Sequence, residues 1–360
     1  MAVTFTWTGP WRTLKDSINI LVMKALVCTE PGKMEYRDLE QPELKKGYAI
    51  VRIRNICICG TDLHAYEGTQ PFFSYPRILG HELSGELVDF DDAPGFQKGE
   101  SVTFLPYLNC GHCIACRSGR TNCCVSLRVC GVHIDGGMVD YFAIPSRLLV
   151  HGQDLDLTEL ALVEPLAIGA HGIRMGNIQE GELVLVMGAG PIGLATMEFA
   201  RIRGAEVIVM DVNANRLEFC KNILGVSHII DAGKNQVAEQ LMDITRGDMP
   251  SAVIDASGNL KAIHSGLNYL AHGGRFILIG LQKEELVFSH PEFHKRETTL
   301  MSSRNATRED FDYVMQSMSR GQINPRAFIT NRVPFGEAAA GFPNWLNSSS
   351  NVIKVVVEKG

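Results

Sequence analysis

The sequence of 360 residues predicts an α/β plus β fold, a β-rich first part with a parallel-sheet α/β domain inserted before the chain returns to it. Three observations carry this expectation. Short apolar or alternating runs broken by Gly, Pro and Asp fill residues 23–165. From about residue 166 the texture changes to strand, glycine turn, helix and strand, repeated to about 305. The closing IKVVVEK reads as a strand that returns to the first part, so that 306–360 leads back to where 23–165 began.

The opening MAVTFTWTGPWRTLKDSINILV lacks a basic start and a long apolar core. It does not read as a secretion signal, and residues 1–22 are expected to be an extension with no assigned function. Met23 opens MKALVC, the first expected strand, and AIVRIRNICI, SGELVDF and DYFAIP supply others. Residues 108–126 interrupt them as an irregular lobe that a metal has to order. LVLVMGAGPIGLATM at 183–197 is the longest uncharged apolar stretch, too short for a membrane span and broken by glycine. LEFCKNIL, HIID, VAEQLMDIT, SAVIDAS and GGRFILIG then continue the alternation, and DFDYVMQSMSRG begins a helix toward the first part. A polar loop is expected near 347–351.

The formal net charge is -6, without a basic block, which argues against a nucleic-acid partner. Apolar content of 45% and charged content of 21% suit a globular protein of two domains. The ten cysteines crowd together as metal ligands do rather than spreading as a disulfide framework, so a cytoplasmic, reducing compartment is expected. Cys28, Cys130 and Cys220 read as buried thiols.

Cys110, Cys113, Cys116 and Cys124 lie close enough in CGHCIACRSGRTNCC to share one tetrahedral Zn²⁺. Four thiolates leave no open position, so this zinc holds structure. Cys59 in ICGTDLH, His81 and Glu82 in ILGHE, and Glu164 in VEPL form a second, mixed group suited to a catalytic zinc. On a regular strand His81 and Glu82 cannot both point inward. Asp62 is expected to accept the other ring N–H of His81. Thr61 and His64 are expected to carry a proton from the substrate hydroxyl to solvent. Such a site acidifies an alcohol for hydride transfer to a nicotinamide.

Gly188, Gly190 and Gly193 follow an apolar strand and open a helix with Pro191 and Ile192, the context a dinucleotide loop needs. The helix N-terminus faces the pyrophosphate. Asp211 ends the next strand, where a carboxylate accepts from a ribose diol and repels a 2′-phosphate, favouring NAD over NADP. Arg216 is close enough in sequence to reach that rim.

Taken together, Cys59-Gly60-Thr61-Asp62 with His64, Gly80-His81-Glu82, the four-cysteine lobe, Asp135-Gly136-Gly137 before Tyr141, Glu164-Pro165 and the Gly188–Gly193 loop resemble the zinc-dependent medium-chain dehydrogenase/reductase family, from Met23 to Gly360. CGTDLH and VEPLAIGAH lean toward its sorbitol, threonine and sugar-acid dehydrogenase branch. The resemblance implies a GroES-like catalytic domain (23–165) with an inserted Rossmann domain (166–305). It also implies two zinc ions and NAD, and a homodimer or homotetramer built through 276–302. Cys59 and His81 are the firm ligands it suggests, with Glu82 exchanging or standing behind them and Glu164 at the metal or close to it. Arg304 resembles an arginine that contacts substrate hydroxyls, although a carboxylate or a domain-junction ion pair would suit it equally. Tyr66 and Phe73 are expected along the pocket. The implied activity is NAD-linked oxidation of a secondary hydroxyl on a polyol, sugar or sugar acid, a small-molecule substrate that requires no membrane. L-Threonine 3-dehydrogenase is the alternative within the class. A non-catalytic NAD-binding regulatory protein is the alternative outside it.

Overall fold

The computed structural model describes residues 21–234, 236–347 and 351–360. Of the expected extension only Leu21 and Val22 fall among them, and of the expected loop at 347–351 only Asn347 and Asn351.

The β-rich part is built on strand Tyr48–Cys57, in which Val51, Ile53 and Ile56 are buried and Arg52 is exposed. Strand Glu82–Phe90 pairs with it antiparallel on one side and the returning Lys354–Glu358 on the other. Strands Tyr141–Pro145, Ser101–Phe104, Leu149–His151 and Ile329–Pro334 complete this sheet of seven. A smaller sheet pairs Val22–Glu30 with Lys33–Glu40 and Arg77–Ile78. The closing strand thus does return to the first part, carried by the apolar run Val355–Val357, all of it buried.

The α/β part is a parallel sheet of six. In spatial order its strands are His228–Asp231, Glu206–Asp211, Leu183–Met187, Ala252–Asp255, Arg275–Leu278 and Thr299–Ser302. Both faces are covered, so its central strands are apolar throughout: Val184, Leu185 and Val186 are fully buried. The chain order reverses direction beside Leu183–Met187, and ligands of open parallel sheets sit at such a switch point, outside the carboxyl ends of the strands.

Helix Val163–Met175 runs across the boundary expected at 165/166 and joins the two parts. Pro165 sits in its first turn, where the missing N–H costs nothing. Gly169 lets it approach helix Pro191–Ile202, since a Cβ there would lie 2.7 Å from the Ala195 carbonyl carbon. On its other side it is tied to helix Arg308–Ser319. His171 Nδ1 lies 2.8 Å from Asp310 Oδ2, and Arg174 Nε donates to Asp310 Oδ1 at 2.7 Å. Burial opposes charge on Asp310, but the hydrogen bonds from His171 and Arg174 outweigh it and hold the carboxyl well below its usual range.

Candidate metal and dinucleotide sites

Cys59 is the N-cap of a short helix, Gly60–Glu67. Gly80 then takes φ +94, a left-handed turn that puts His81 just before strand Glu82–Phe90 rather than in it. This turn resolves the conflict expected of adjacent inward residues. One donor atom each from Cys59, His81 and Glu82 lies within 4.8 Å of the others. Asp62, fully buried, accepts from the amides of Cys59 (2.9 Å) and Gly80 (3.2 Å), and so pins the two ligand-bearing segments together. Its Oδ1 stands 3.7 Å from His81 Nδ1, beyond hydrogen-bond reach, so Asp62 holds the backbone on both sides of the ring and not the ring itself.

Two partners of this group were not foreseen. Lys354 Nζ donates to both Glu82 oxygens, at 2.8 and 2.7 Å, and to the Ile58 carbonyl at 3.2 Å. Burial disfavours its charge, but Glu82, Cys59 and Cys57 outweigh this and raise its pKa. Glu82 therefore already has a cationic partner, and Cys59 and His81 are the less encumbered donors. Tyr107, also buried, donates its hydroxyl to Glu164 Oε1. Burial pushes the Glu164 carboxyl up to about 7, with Glu82 adding to the rise against His81, Tyr107 and Lys354. The charge of Glu164 acts on His81, but Glu164 is not among the donors drawn within 4.8 Å. A charged residue in the apolar run Ile353–Val357 was the one sequence clue to Lys354, while Tyr107 left none.

Truncating Lys354 would leave Glu82 as an uncompensated buried charge. Lys354→Met is expected to destabilise the protein by about 3–5 kcal/mol, with Glu82→Gln in the same chain recovering much of the loss. Urea unfolding of the two variants beside the wild type checks it.

The residues fit a zinc ion. His81 Nδ1 is buried without a hydrogen-bond partner. Burial lowers its affinity for a proton, but Asp62, Cys59 and Glu164 together raise its pKa well above the usual histidine value. So dense a set of thiol and carboxylate groups around one imidazole is what a dication neutralises.

The lobe is a closed version of the same chemistry. The sulfurs of Cys110, Cys113, Cys116 and Cys124 lie within 4.8 Å of one another, compatible with the about 3.8 Å edge of a ZnS₄ tetrahedron. Backbone amides point at the sulfurs: Cys110 N to Cys124 Sγ at 3.2 Å, Cys113 N to Cys110 Sγ at 3.4 Å. Amides aimed at Cys113 draw its pKa down to about 6. All ten cysteines are free thiols, and Cys28, Cys130 and Cys220 are buried as expected.

At the switch point Gly188 takes φ +102, and Gly193 packs beneath it, where a Cβ would strike the Gly188 carbonyl at 1.9 Å. Gly190 caps the helix that Pro191 opens, and Ile192 follows in its first turn. Above Gly190 there is open space, with Arg216 Nη1 the nearest atom at 3.8 Å from an added Cβ. Asp211 accepts from the amides of Ala189 (2.6 Å) and Asn213 (2.8 Å), so it also fastens the glycine loop.

Thr61 is half-buried and His64, three residues on along the helix, is exposed. Tyr66 packs against Phe342, ring centroids 5.3 Å apart, and Phe73 edge-on against Tyr75 at 4.8 Å. Arg304 is exposed, and its carbonyl accepts from Asn122 Nδ2 at 2.8 Å. Among the described residues no helix is long and apolar enough to cross a membrane.

Two family models match the chain: the alcohol dehydrogenase GroES-like domain over residues 45–154 and the zinc-binding dehydrogenase over 191–320. L-Galactonate-5-dehydrogenase of Escherichia coli K12 is 41% identical over 336 residues, 93% of this chain and 98% of that protein. Sorbitol dehydrogenase of Halalkalibacterium halodurans is 30% identical, over 88% of this chain and 94% of its own. A crystal structure of an alcohol dehydrogenase from E. coli CFT073 in complex with NADH superimposes with a TM-score of 0.87. That chain is 28% identical, and the match covers 94% of this chain and 99% of it.

Proposed function

The chain belongs to the zinc-binding alcohol dehydrogenase family, and on that premise we propose that it oxidises a secondary hydroxyl of a polyol or sugar acid with NAD as hydride acceptor. The observation that carries the reading is the convergence of Cys59, His81 and Glu82 on one point, in a chain that also has a glycine loop at its sheet's switch point. The 41% identity to an L-galactonate-5-dehydrogenase favours a polyhydroxy substrate. Bound at these sites, zinc supplies Lewis-acid activation of the hydroxyl and NAD accepts the hydride.

The chain's own groups do the rest. Asp62 fixes the spacing of Cys59 and His81, Lys354 holds Glu82, and Tyr107 orients Glu164. Tyr107 keeps its proton, because burial and Glu164 raise its pKa well above the ordinary value. Thr61 accepts the proton of the substrate hydroxyl as it passes its own hydroxyl proton on toward His64. His64 lies one helical turn further on, the same-face spacing a relay needs, and delivers it to solvent.

Asp211 selects NAD by accepting from the ribose diol. Asp211→Ser is expected to weaken NAD binding about 10–100-fold, the value of a hydrogen bond to a charged group, and to reduce the preference over NADP. Fluorescence titration with NADH and NADPH reads both.

A second copy of the chain is expected to pair at 276–302. There Thr299–Ser302 forms the sheet edge, and Leu281, Val287 and Phe288 are exposed beside it. Light scattering gives the mass. The free thiols suit a reducing compartment such as the cytoplasm.

The reading is tested by NADH formation with a panel of polyols, aldonates, aldoses and L-threonine. A strong response to a polyol or aldonate supports it. Oxidation of L-threonine alone would make the enzyme a threonine dehydrogenase. Silence from a zinc-loaded, NAD-binding protein would favour a regulatory role.

A further inference from the structure

The chain leaves the six-stranded sheet after strand Thr299–Ser302 through a sharp turn, in which Asn305 takes φ +51. Among the described residues two hydrogen bonds hold the backbone of 303–306. Ser303 N donates to the Leu278 carbonyl at 2.8 Å, and the Arg304 carbonyl accepts from Asn122 Nδ2 at 2.8 Å. The first tie belongs to the sheet. The second comes from outside it, since Asn122 lies in the 3-10 turn Thr121–Cys123 of the four-cysteine lobe.

The partners of Asn122 fix the direction of every bond behind it. A carbonyl only accepts, so the amide presents its NH₂ to Arg304, and its second hydrogen goes to His171 Nε2 at 3.0 Å. That nitrogen must be bare. The ring proton is therefore on Nδ1, where Asp310 Oδ2 accepts it at 2.8 Å. Arg174 Nε and the Thr307 amide hold the same carboxylate, at 2.7 and 2.8 Å. Asn122, His171 and Asp310 are all buried, so bulk water does not replace a bond lost here. One directional chain thus joins helix Arg308–Ser319, helix Val163–Met175, the lobe and the turn past the sheet.

That turn stands on the rim where half of a dinucleotide lies. A sheet of this kind carries two mononucleotide-binding halves, and the dinucleotide crosses both. The glycine loop and Asp211 belong to the half made by Leu183–Met187, Glu206–Asp211 and His228–Asp231. Ala252–Asp255, Arg275–Leu278 and Thr299–Ser302 make the other, and residues 303–306 form part of its carboxyl rim.

We infer that Asn122 and His171 are positioning residues that tie the four-cysteine lobe to the carboxyl rim of the nucleotide sheet, so that zinc in the lobe and dinucleotide on the sheet each strengthen the other's binding. This inference rests on the reading of the parallel sheet as an NAD site. Two hydrogen bonds set the scale, a coupling of at least about fivefold, and linkage requires the same factor in both directions.

The test uses Cys59→Ala, in which the lobe holds the remaining zinc. The zinc affinity is measured by competition with a chelator of known affinity, with and without saturating NADH. NADH is expected to tighten the zinc at least about fivefold, and Asn122→Leu added to this protein to bring that ratio close to one. His171→Asn, which keeps an amide N–H for Asp310 but lacks the Nε2 acceptor, is expected to do the same and serves if Asn122→Leu fails to fold. A merely structural role would weaken the zinc equally with and without NADH and leave the ratio unchanged.

The reciprocal arm is fluorescence titration of the two-zinc protein with NADH, where each variant is expected to bind at least about fivefold more weakly than the wild type. NADH that binds without changing the zinc affinity, or an unchanged ratio in the variants, overturns the coupling and leaves the NAD site in place. A wild type that does not bind NADH overturns both the coupling and the reading of the sheet.

Discussion

Cys59→Ala is expected to abolish NAD-linked turnover, by at least about 10³-fold in kcat, while leaving NADH binding unchanged. Metal activation of a hydroxyl is worth several kcal/mol of barrier, and each 1.36 kcal/mol is about tenfold in rate. The two sites separate in this variant because they are built on different sheets. Cys59 caps a helix next to strand Tyr48–Cys57, whereas the glycine loop stands at the end of strand Leu183–Met187. The folded backbone around Cys59 should survive, since Asp62 still receives the Cys59 and Gly80 amides. Steady-state rates, NADH fluorescence and metal content on one preparation check the result. Full activity in the variant would remove Cys59 from the metal site.

Cys110→Ala acts on the other metal. One of two zinc ions per chain is expected to be lost, with a fall in stability on the order of 3 kcal/mol or more, because the binding energy of a structural zinc is folding energy. The lobe has little else to hold it. Its regular structure is the single turn Ile114–Arg117 and the 3-10 turn Thr121–Cys123, and Ile114 and Val125 are exposed. Damage there is also expected to reach the segment that carries Arg304. Asn122, two residues before Cys124, lies 3.0 Å from His171 Nε2 and donates to the Arg304 carbonyl. If Arg304 contacts the substrate, as the resemblance implies, a rise in KM is expected before any loss of kcat. Thermal unfolding, metal analysis and substrate saturation curves separate these effects. A variant that keeps both zinc ions and wild-type stability would contradict the assignment of the lobe.

What the sequence made legible was local. The glycine loop sits between an apolar strand and a helix contiguous with it, so its flanks can be read directly. The four lobe cysteines span only 110–124. The parallel strands announce themselves by apolar runs, as at Val184–Val186, because both faces of that sheet are covered. Long-range pairings were not legible. Lys354 meets Glu82 across 272 positions, and Tyr107 meets Glu164 across 57. Helix Gly60–Glu67 escaped notice because it buries only Asp62 and Ala65 and shows no apolar stripe. Helix Val163–Met175 was hidden by its proline and two glycines. The role expected for Asp62 failed by a small distance: the turn at Gly80 sets His81 Nδ1 3.7 Å from the carboxylate, and that turn's geometry is not written in residue types.

The returning strand has a further consequence, for synthesis. Lys354 lies on Lys354–Glu358, which pairs with Tyr48–Cys57 near the opposite end of the chain. A ribosome releases every strand of the six-stranded sheet before it releases Lys354. The nucleotide half can assemble on the nascent chain, but until the last residues emerge the first sheet lacks an interior strand and Glu82 has no cation beside it. Chaperones that shield apolar strand edges would thus meet this chain with its redox half folded and its metal half still open.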